Sequence, residues 1–207
     1  MGSYPWLSCY QGDMNLDGDR RPQSYYRKIM WGLDDGIHLF TTHPSRTGKP
    51  FYGSGWHWPD VKKDWTFDGE YDGKAVKIDA YCDCDEVEFF VNGKSVGKAV
   101  PEKLIASIEI PYERGVLEAV AIRDGKESAR DRLVTAGAPA KVALSPDRTV
   151  ITADGLDLSF VHATILDAEN NPVVTSDIEL YVKVDGAGTL AGFGSGNPCT
   201  PENYGTG

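Results

Sequence analysis

Apolar positions between residues 22 and 33 recur at helical spacing. Tyr25, Tyr26, Ile29, Met30 and Leu33 fit a period of about 3.6 residues. Pro22 suits the first turn, where its missing N–H is not needed, and Gly32 supplies a stop. The pattern predicts one amphipathic helix, led into by a Gly/Asp-rich loop from Gly12 to Asp19. A single short helix cannot bury its apolar face alone, so it must pack on something else. Residues 34–62 then carry Pro44, Gly48, Pro50, Gly53, Gly55 and Pro59, which break any regular element. This stretch reads as a linker or an irregular crossing. Its aromatics, Phe51, Tyr52, Trp56 and Trp58, imply that it packs against something.

From Trp65 onward the period switches to two. Val76, Ile78 and Ala80 alternate with Lys77, Asp79 and Tyr81, and Val87, Phe89 and Val91 alternate with Glu88 and Phe90. Asn92-Gly93 follows, a strong hairpin signal because a type I′ turn needs positive φ at both central residues. Ile108 and Ile110 mark another strand, Leu117 to Ile122 the next, and Asp124-Gly125 a second hairpin before a strand over Arg130 to Thr135. Short strands punctuated about every 8–12 residues predict a β-sandwich.

Ala136-Gly137-Ala138-Pro139 punctuates the chain, and a second β-series begins. Val142 and Leu144, Val150 and Ile151, Leu158 to Thr164, Ile178 to Val184, and Leu190 with Phe193 mark successive strands. That is about five, where a closed sandwich wants seven or so. A second sandwich cut short at its C-terminus is expected, with its last residues mobile or its open edge covered by a neighbour.

Composition narrows the function classes. Of the 207 residues, 41% are hydrophobic and 25% charged, as in ordinary globular chains. The net charge of −10 offers no basic surface for phosphates, so no nucleic-acid partner is expected. No apolar run reaches the roughly 18 residues of a membrane span, and no signal peptide opens the chain. The cysteines are Cys9, Cys82, Cys84 and Cys199. Cys82 and Cys84 share a strand face, where geometry disfavours a bridge, and no further ligands accompany them. They read as ordinary thiols.

The segment DGDRRPQSYYRKIMWG (17–32) resembles the end of the catalytic barrel in β-galactosidase-like enzymes of glycoside hydrolase family 2. WHWPD (56–60), DEVEFFVNGKSVGK (85–98) and IPYERGVLEAVAIRDGK (110–126) resemble the immunoglobulin-like domain that follows it. Residues 135–173 and GAGTLAGFGSGNP (186–198) resemble a further adhesin-like sandwich. The resemblance implies a mainly β chain: residues 1–62 the barrel end and linker, 63–136 one immunoglobulin-like sandwich, and 137–207 a second. It implies the C-terminal part of a retaining glycosidase whose upstream barrel is the partner and carries the substrate. A bacterial periplasmic or secreted setting follows from the same likeness.

Catalysis would lie elsewhere. A retaining glycosidase needs two carboxyl groups about 5–5.5 Å apart, and in the family both sit on barrel strands upstream of Tyr4. No catalytic residue, cofactor or metal site is therefore expected, and the chain alone should be inactive. Asp13, Asn15, Asp17 and Asp19 resemble part of a calcium loop, but position 12 is Ser24 where a glutamate is needed. They read as a solvated acidic turn. Asp83, Asp85, Glu86 and Glu88 read as exposed charges, and His38, His43, His57 and His162 are scattered. The glycines of 186–196 precede no helix, so no phosphate cradle is expected. Tyr52, Trp56, Trp58 and Trp65 are the candidate sugar-contact or interdomain aromatics. A stand-alone carbohydrate-binding or adhesion module is the alternative reading.

Overall fold

The computed structural model describes residues 12–15, 18–50, 60–197, 199–201 and 205. The predicted helix is α1, Pro22–Met30. Proline opens it, and Gly32 just beyond its end takes a φ of 65°. Nine strands follow among the described residues: β1 Ile37–Thr41, β2 Ala75–Cys82, β3 Glu86–Val91, β4 Lys94–Ala99, β5 Ile105–Pro111, β6 Val116–Arg123, β7 Lys126–Val134, β8 Lys141–Pro146 and β9 Val161–Leu166.

The first seven strands make two antiparallel sheets, ordered β1-β2-β5 and β4-β3-β6-β7. Their inner faces bury one cluster that includes Leu39, Val76 and Ile78 from one sheet and Val87, Phe89, Leu117 and Ala119 from the other. Three strands on four is an immunoglobulin-like sandwich. Both hairpin signals form as expected. Asn92 and Gly93 have φ of 50° and 76°, and Asp124 and Gly125 have 52° and 69°.

β1 corrects the reading of residues 34–62. It pairs with β2 along its whole length, from Ile37 opposite Cys82 to Thr41 opposite Ile78, so the sandwich begins there and not at residue 63. The strand carries no period-two signal because it is covered on both sides. Leu39 faces the inter-sheet core and Phe40 faces α1, which erases the polar half of a period-two pattern.

The corner between β5 and β6 is tied by Tyr112. Its hydroxyl donates to the Trp65 carbonyl at 3.2 Å and accepts the Phe67 N–H at 3.3 Å. Trp65 and Phe67 meet the Tyr112 ring edge-on at 4.9 and 5.0 Å. The segment leading into β2 is thereby sealed into the core.

The second β-series differs from its expectation. Among the described residues it forms one hairpin, β8 with β9, from Lys141 opposite Leu166 to Pro146 opposite Val161. Residues 178–184 and 190–193 are not strands, and Ile178, Val182, Val184 and Leu190 are exposed. An alternating segment becomes a strand only where a neighbouring edge and a facing layer receive it, and among the described residues no strand pairs with this one. The expectation for the C-terminal residues falls mostly outside the described part.

Candidate functional site

The two outer faces of the first sandwich are unlike. Over the β4-β3-β6-β7 sheet lies a layer of paired charges. Lys98 bridges Glu86 at 2.7 Å, Arg130 bridges Glu118 at 3.3 Å and Glu127 at 3.0 Å, and Ser95 bonds Glu88. Long charged stems cover apolar surface while their heads stay in water. Val120 is buried there although it points away from the core.

The outer face of β1-β2-β5 carries α1. Tyr25 lies 5.7 Å from the Phe40 ring, Tyr26 meets Tyr81 edge-on at 6.0 Å, and Phe40 and Tyr81 are 4.7 Å apart. Ile29 is buried among them. Polar groups close the rim. Asp34 binds the Gly36 N–H, His38 Nε2 at 3.1 Å and Lys28 Nζ at 3.2 Å. Burial opposes the charge on Asp34, but these donors win and hold its carboxyl below its ordinary value. Burial also pushes the His38 imidazole down, against the pull of Asp34. Lys63 lies 5.0 Å over the Tyr25 ring and bridges Asp131 at 3.2 Å. Asp131, on β7, also accepts the Leu39 N–H at 2.8 Å, so a carboxylate of the other sheet caps the edge of β1 at Leu39, while Lys62 pairs with it at Thr41.

The helix has a second apolar surface. Met30 is 50% exposed, Trp31 63% and Leu33 68%. The sequence pattern placed Tyr25, Tyr26, Ile29, Met30 and Leu33 together; the structure seats the first three on the sheet and leaves the last two in solvent beside Trp31.

Of the four candidate aromatics, Tyr52, Trp56 and Trp58 lie outside the described residues. Trp65 is 1% exposed, packed within the sandwich, and presents no ring face to a sugar or to another domain. A groove of about 480 Å³ opens beside it, lined in part by Thr41, His43, Asp60, Lys62 and Asp64. Burial pushes the Asp64 carboxyl up, although it accepts the Thr66 N–H at 2.7 Å. Asp60 faces Arg46 at 3.8 Å. His43 bonds Ser45 and packs edge-on against Phe67 and Tyr71. One half-buried carboxyl among cations suits a structural role better than an acid and nucleophile pair.

The acidic loop is stitched to the helix. Asp13 pairs with Arg27, Asn15 accepts from Arg21 Nε at 2.8 Å, and Ser24 accepts from Arg20 at 2.9 Å. Asp19 reaches His162 at 3.6 Å, while Asp17 is not among the described residues. No group of three or more His, Cys, Asp or Glu is placed to hold a metal among the described residues. In the second acidic run, Asp85 accepts the Asp124 N–H at 2.8 Å, tying two turns together. No helix among the described residues is long and apolar enough to cross a membrane.

Two residues are hubs: Asn92, which the sequence marked only as a turn former, and Asp167, which it did not single out. Asn92 donates to Glu113 and the Arg114 carbonyl and accepts the Val116 N–H. Asp167 accepts from the N–H groups of Gly137, Glu169 and Asn171 and from the Asn171 amide. The Gly137 N–H and the Asn171 amide foremost hold its carboxyl down at about 2. An Asn-Gly turn or a lone Asp carries no sequence mark of such partners.

The comparisons agree with this architecture. The family model described as glycoside hydrolase family 2 C-terminal domain 5 matches residues 142–206, and that of a domain of unknown function (DUF4982) matches 73–129. A β-galactosidase of Bacteroides ovatus is 32% identical over 97% of this chain and 21% of its own length. A β-galactosidase of Thermoanaerobacter pseudethanolicus is 28% identical over 61% of this chain and 19% of its own length. The crystal structure of a glycosyl hydrolase family 2 member from Bacteroides cellulosilyticus is 38% identical, with a TM-score of 0.69 over 78% of this chain and 22% of that one. The chain thus spans about a fifth of the length of these relatives.

Proposed function

Because the chain belongs to glycoside hydrolase family 2, as a C-terminal part of it, we propose that it is a non-catalytic accessory region of a retaining, β-galactosidase-type glycosidase. In this reading the parent protein's barrel supplies both catalytic carboxyls, and α1 is the last piece of barrel sequence. The sandwich holds that helix on one sheet and offers Met30, Trp31 and Leu33 to the barrel. A terminal β-galactoside is the substrate class, supported by the two relatives named β-galactosidases. A periplasmic or secreted bacterial setting belongs to the same proposal.

The observation that carries the reading is the contrast between the outer faces. One carries several ion pairs, while the other holds a helix whose exposed apolar end awaits a neighbour. The carboxylates described above are engaged by basic side chains, backbone N–H groups, or the Ser95 hydroxyl and Asn92 amide, which supports inertness of the chain alone.

The test is complementation. The rest of the parent glycosidase, made without this region, is assayed on a nitrophenyl β-galactoside with and without the chain added in trans. Turnover is expected to rise on addition, with none from the chain by itself. Turnover by the chain alone would overturn the reading. Calorimetric heat from galactosides with the chain alone would favour the carbohydrate-binding alternative.

A further inference from the structure

The connection from β2 to β3 crosses from one sheet to the other and carries two thiols. Cys82 ends β2 and is buried, and Cys84 is half-buried in the turn. Both are free, and their sulfurs lie 3.3 Å apart. On a continuing strand, residues two apart are poorly placed for a bridge. Here the strand stops at Cys82, and the chain bends at Cys84 and Asp85, which leaves the Cys84 sulfur against that of Cys82.

The bend is clamped from several sides. The Cys82 N–H bonds the Leu104 carbonyl at 3.0 Å, and the Asp85 N–H bonds the Ile122 carbonyl at 2.9 Å. Arg123 donates to the Asp83 carbonyl, and Asp85 accepts from Asp124. Cys84 also leans on the Glu86 carbonyl at 3.4 Å. The two sulfurs are thus held in contact by the fold and do not meet by chance diffusion of a loose turn.

We propose that Cys82 and Cys84 are a redox-modification site, closing to an intramolecular disulfide with a small disulfide such as glutathione disulfide as the oxidant. Cys84, the more exposed thiol, reacts first. Its thiolate attacks one glutathione sulfur, the glutathione S–S bond breaks, and one glutathione thiolate leaves. Cys82 then loses its proton to solvent and attacks Cys84 Sγ, and the second glutathione leaves as thiolate and is protonated. Two protein thiols are oxidised, and one glutathione disulfide is reduced to two glutathiones. Burial pushes the Cys82 thiol up, so this second attack is the slow step. Closing so short a loop removes little entropy from the unfolded chain, so the bond is readily reduced again.

The experiment uses the full chain with Cys9→Ser and Cys199→Ser, equilibrated in glutathione buffers of rising disulfide content. Samples are acid-quenched, alkylated and mapped by peptide mass. Thiols 82 and 84 are expected to disappear together in one transition. The peptide holding both should be lighter by two hydrogens and recover on adding dithiothreitol. Adding Cys82→Ser should stop Cys84 as a stable glutathione adduct, and adding Cys84→Ser should leave Cys82 unreacted. The proposal fails if the folded background chain keeps both thiols in excess glutathione disulfide. It fails equally if that chain accumulates the Cys84 adduct with Cys82 still reduced. Both readouts stand even if the Cys82→Ser chain does not fold.

Discussion

At the scale of single residues, stability hangs on polar groups that reach far along the sequence. Gly115 has a φ of 128°, and a Cβ built there would collide with the Asn92 side-chain amide. Gly115→Ala is therefore expected to cost about 1–3 kcal/mol from the backbone conformation alone, plus the displaced Asn92 bonds. Urea unfolding should show this as a lower midpoint, and in an Asn92→Ala background the same substitution should cost less. Asp167 makes a prediction with pH. Its folded carboxyl lies at about 2, below the ordinary 3.8. Its contribution is complete above about pH 4 and is lost as pH falls through 2. Hydrogen exchange at Gly137 and Asn171 should accelerate over that window, and Asp167→Asn should remove the pH dependence. The Asn-Gly turn was legible in the sequence because φ restricts the residue types. The partners of Asn92 at residues 113–116 were not, because nothing local records a contact made some 20 residues away.

At the scale of elements, alternation and turn signals revealed most strands of the first sandwich and hid one. β2 and β3 alternate, and their existence follows from period two; β6 is apolar on both faces and is marked by its apolar run before Asp124-Gly125. β1 is apolar on both faces because α1 covers its outer side, so its strand character depends on a neighbour and not on its own pattern. Its outer edge is held at Thr41 by Lys62 and at Leu39 by Asp131, which accepts the Leu39 N–H while paired with Lys63. Asp131→Ala should leave that N–H without its acceptor and expose the edge. Hydrogen exchange at Leu39 should rise by tenfold or so, for a loss of about 1–2 kcal/mol of local protection. Amides of β2 that pair with β5 should keep their rates. Equal acceleration across both strands would mean that Asp131 supports the whole sandwich and not the edge of β1. The helix shows the converse. Its spacing was plain, but which apolar residues it buries depends on how it lies on the sheet, and that left Met30 and Leu33 outside.

At the scale of the whole molecule, the question is which surface is finished. The β4-β3-β6-β7 sheet carries ion pairs on its outer face, and covering it would strip water from several charges without new partners. The helix end has the opposite balance, since burying Trp31, Met30 or Leu33 stabilises a complex by about 1.5–3 kcal/mol each when complete. If the proposed barrel covers this end, Trp31→Ser with Leu33→Ser should leave the thermal midpoint of the isolated chain within a degree or two, because both side chains are already in water. The same pair should weaken capture by the rest of the parent, read by titration calorimetry, by about 30-fold or more even if burial is partial. A control pair on the ionic face, Lys98→Ser with Arg130→Ser, should leave that affinity within a few-fold. Should the ionic-face pair prove the damaging one, the docking face would be assigned to the wrong side of the sandwich. Should both pairs be silent, the helix would be a self-contained cap, and the attachment would have to run through the exposed apolar residues that follow β9.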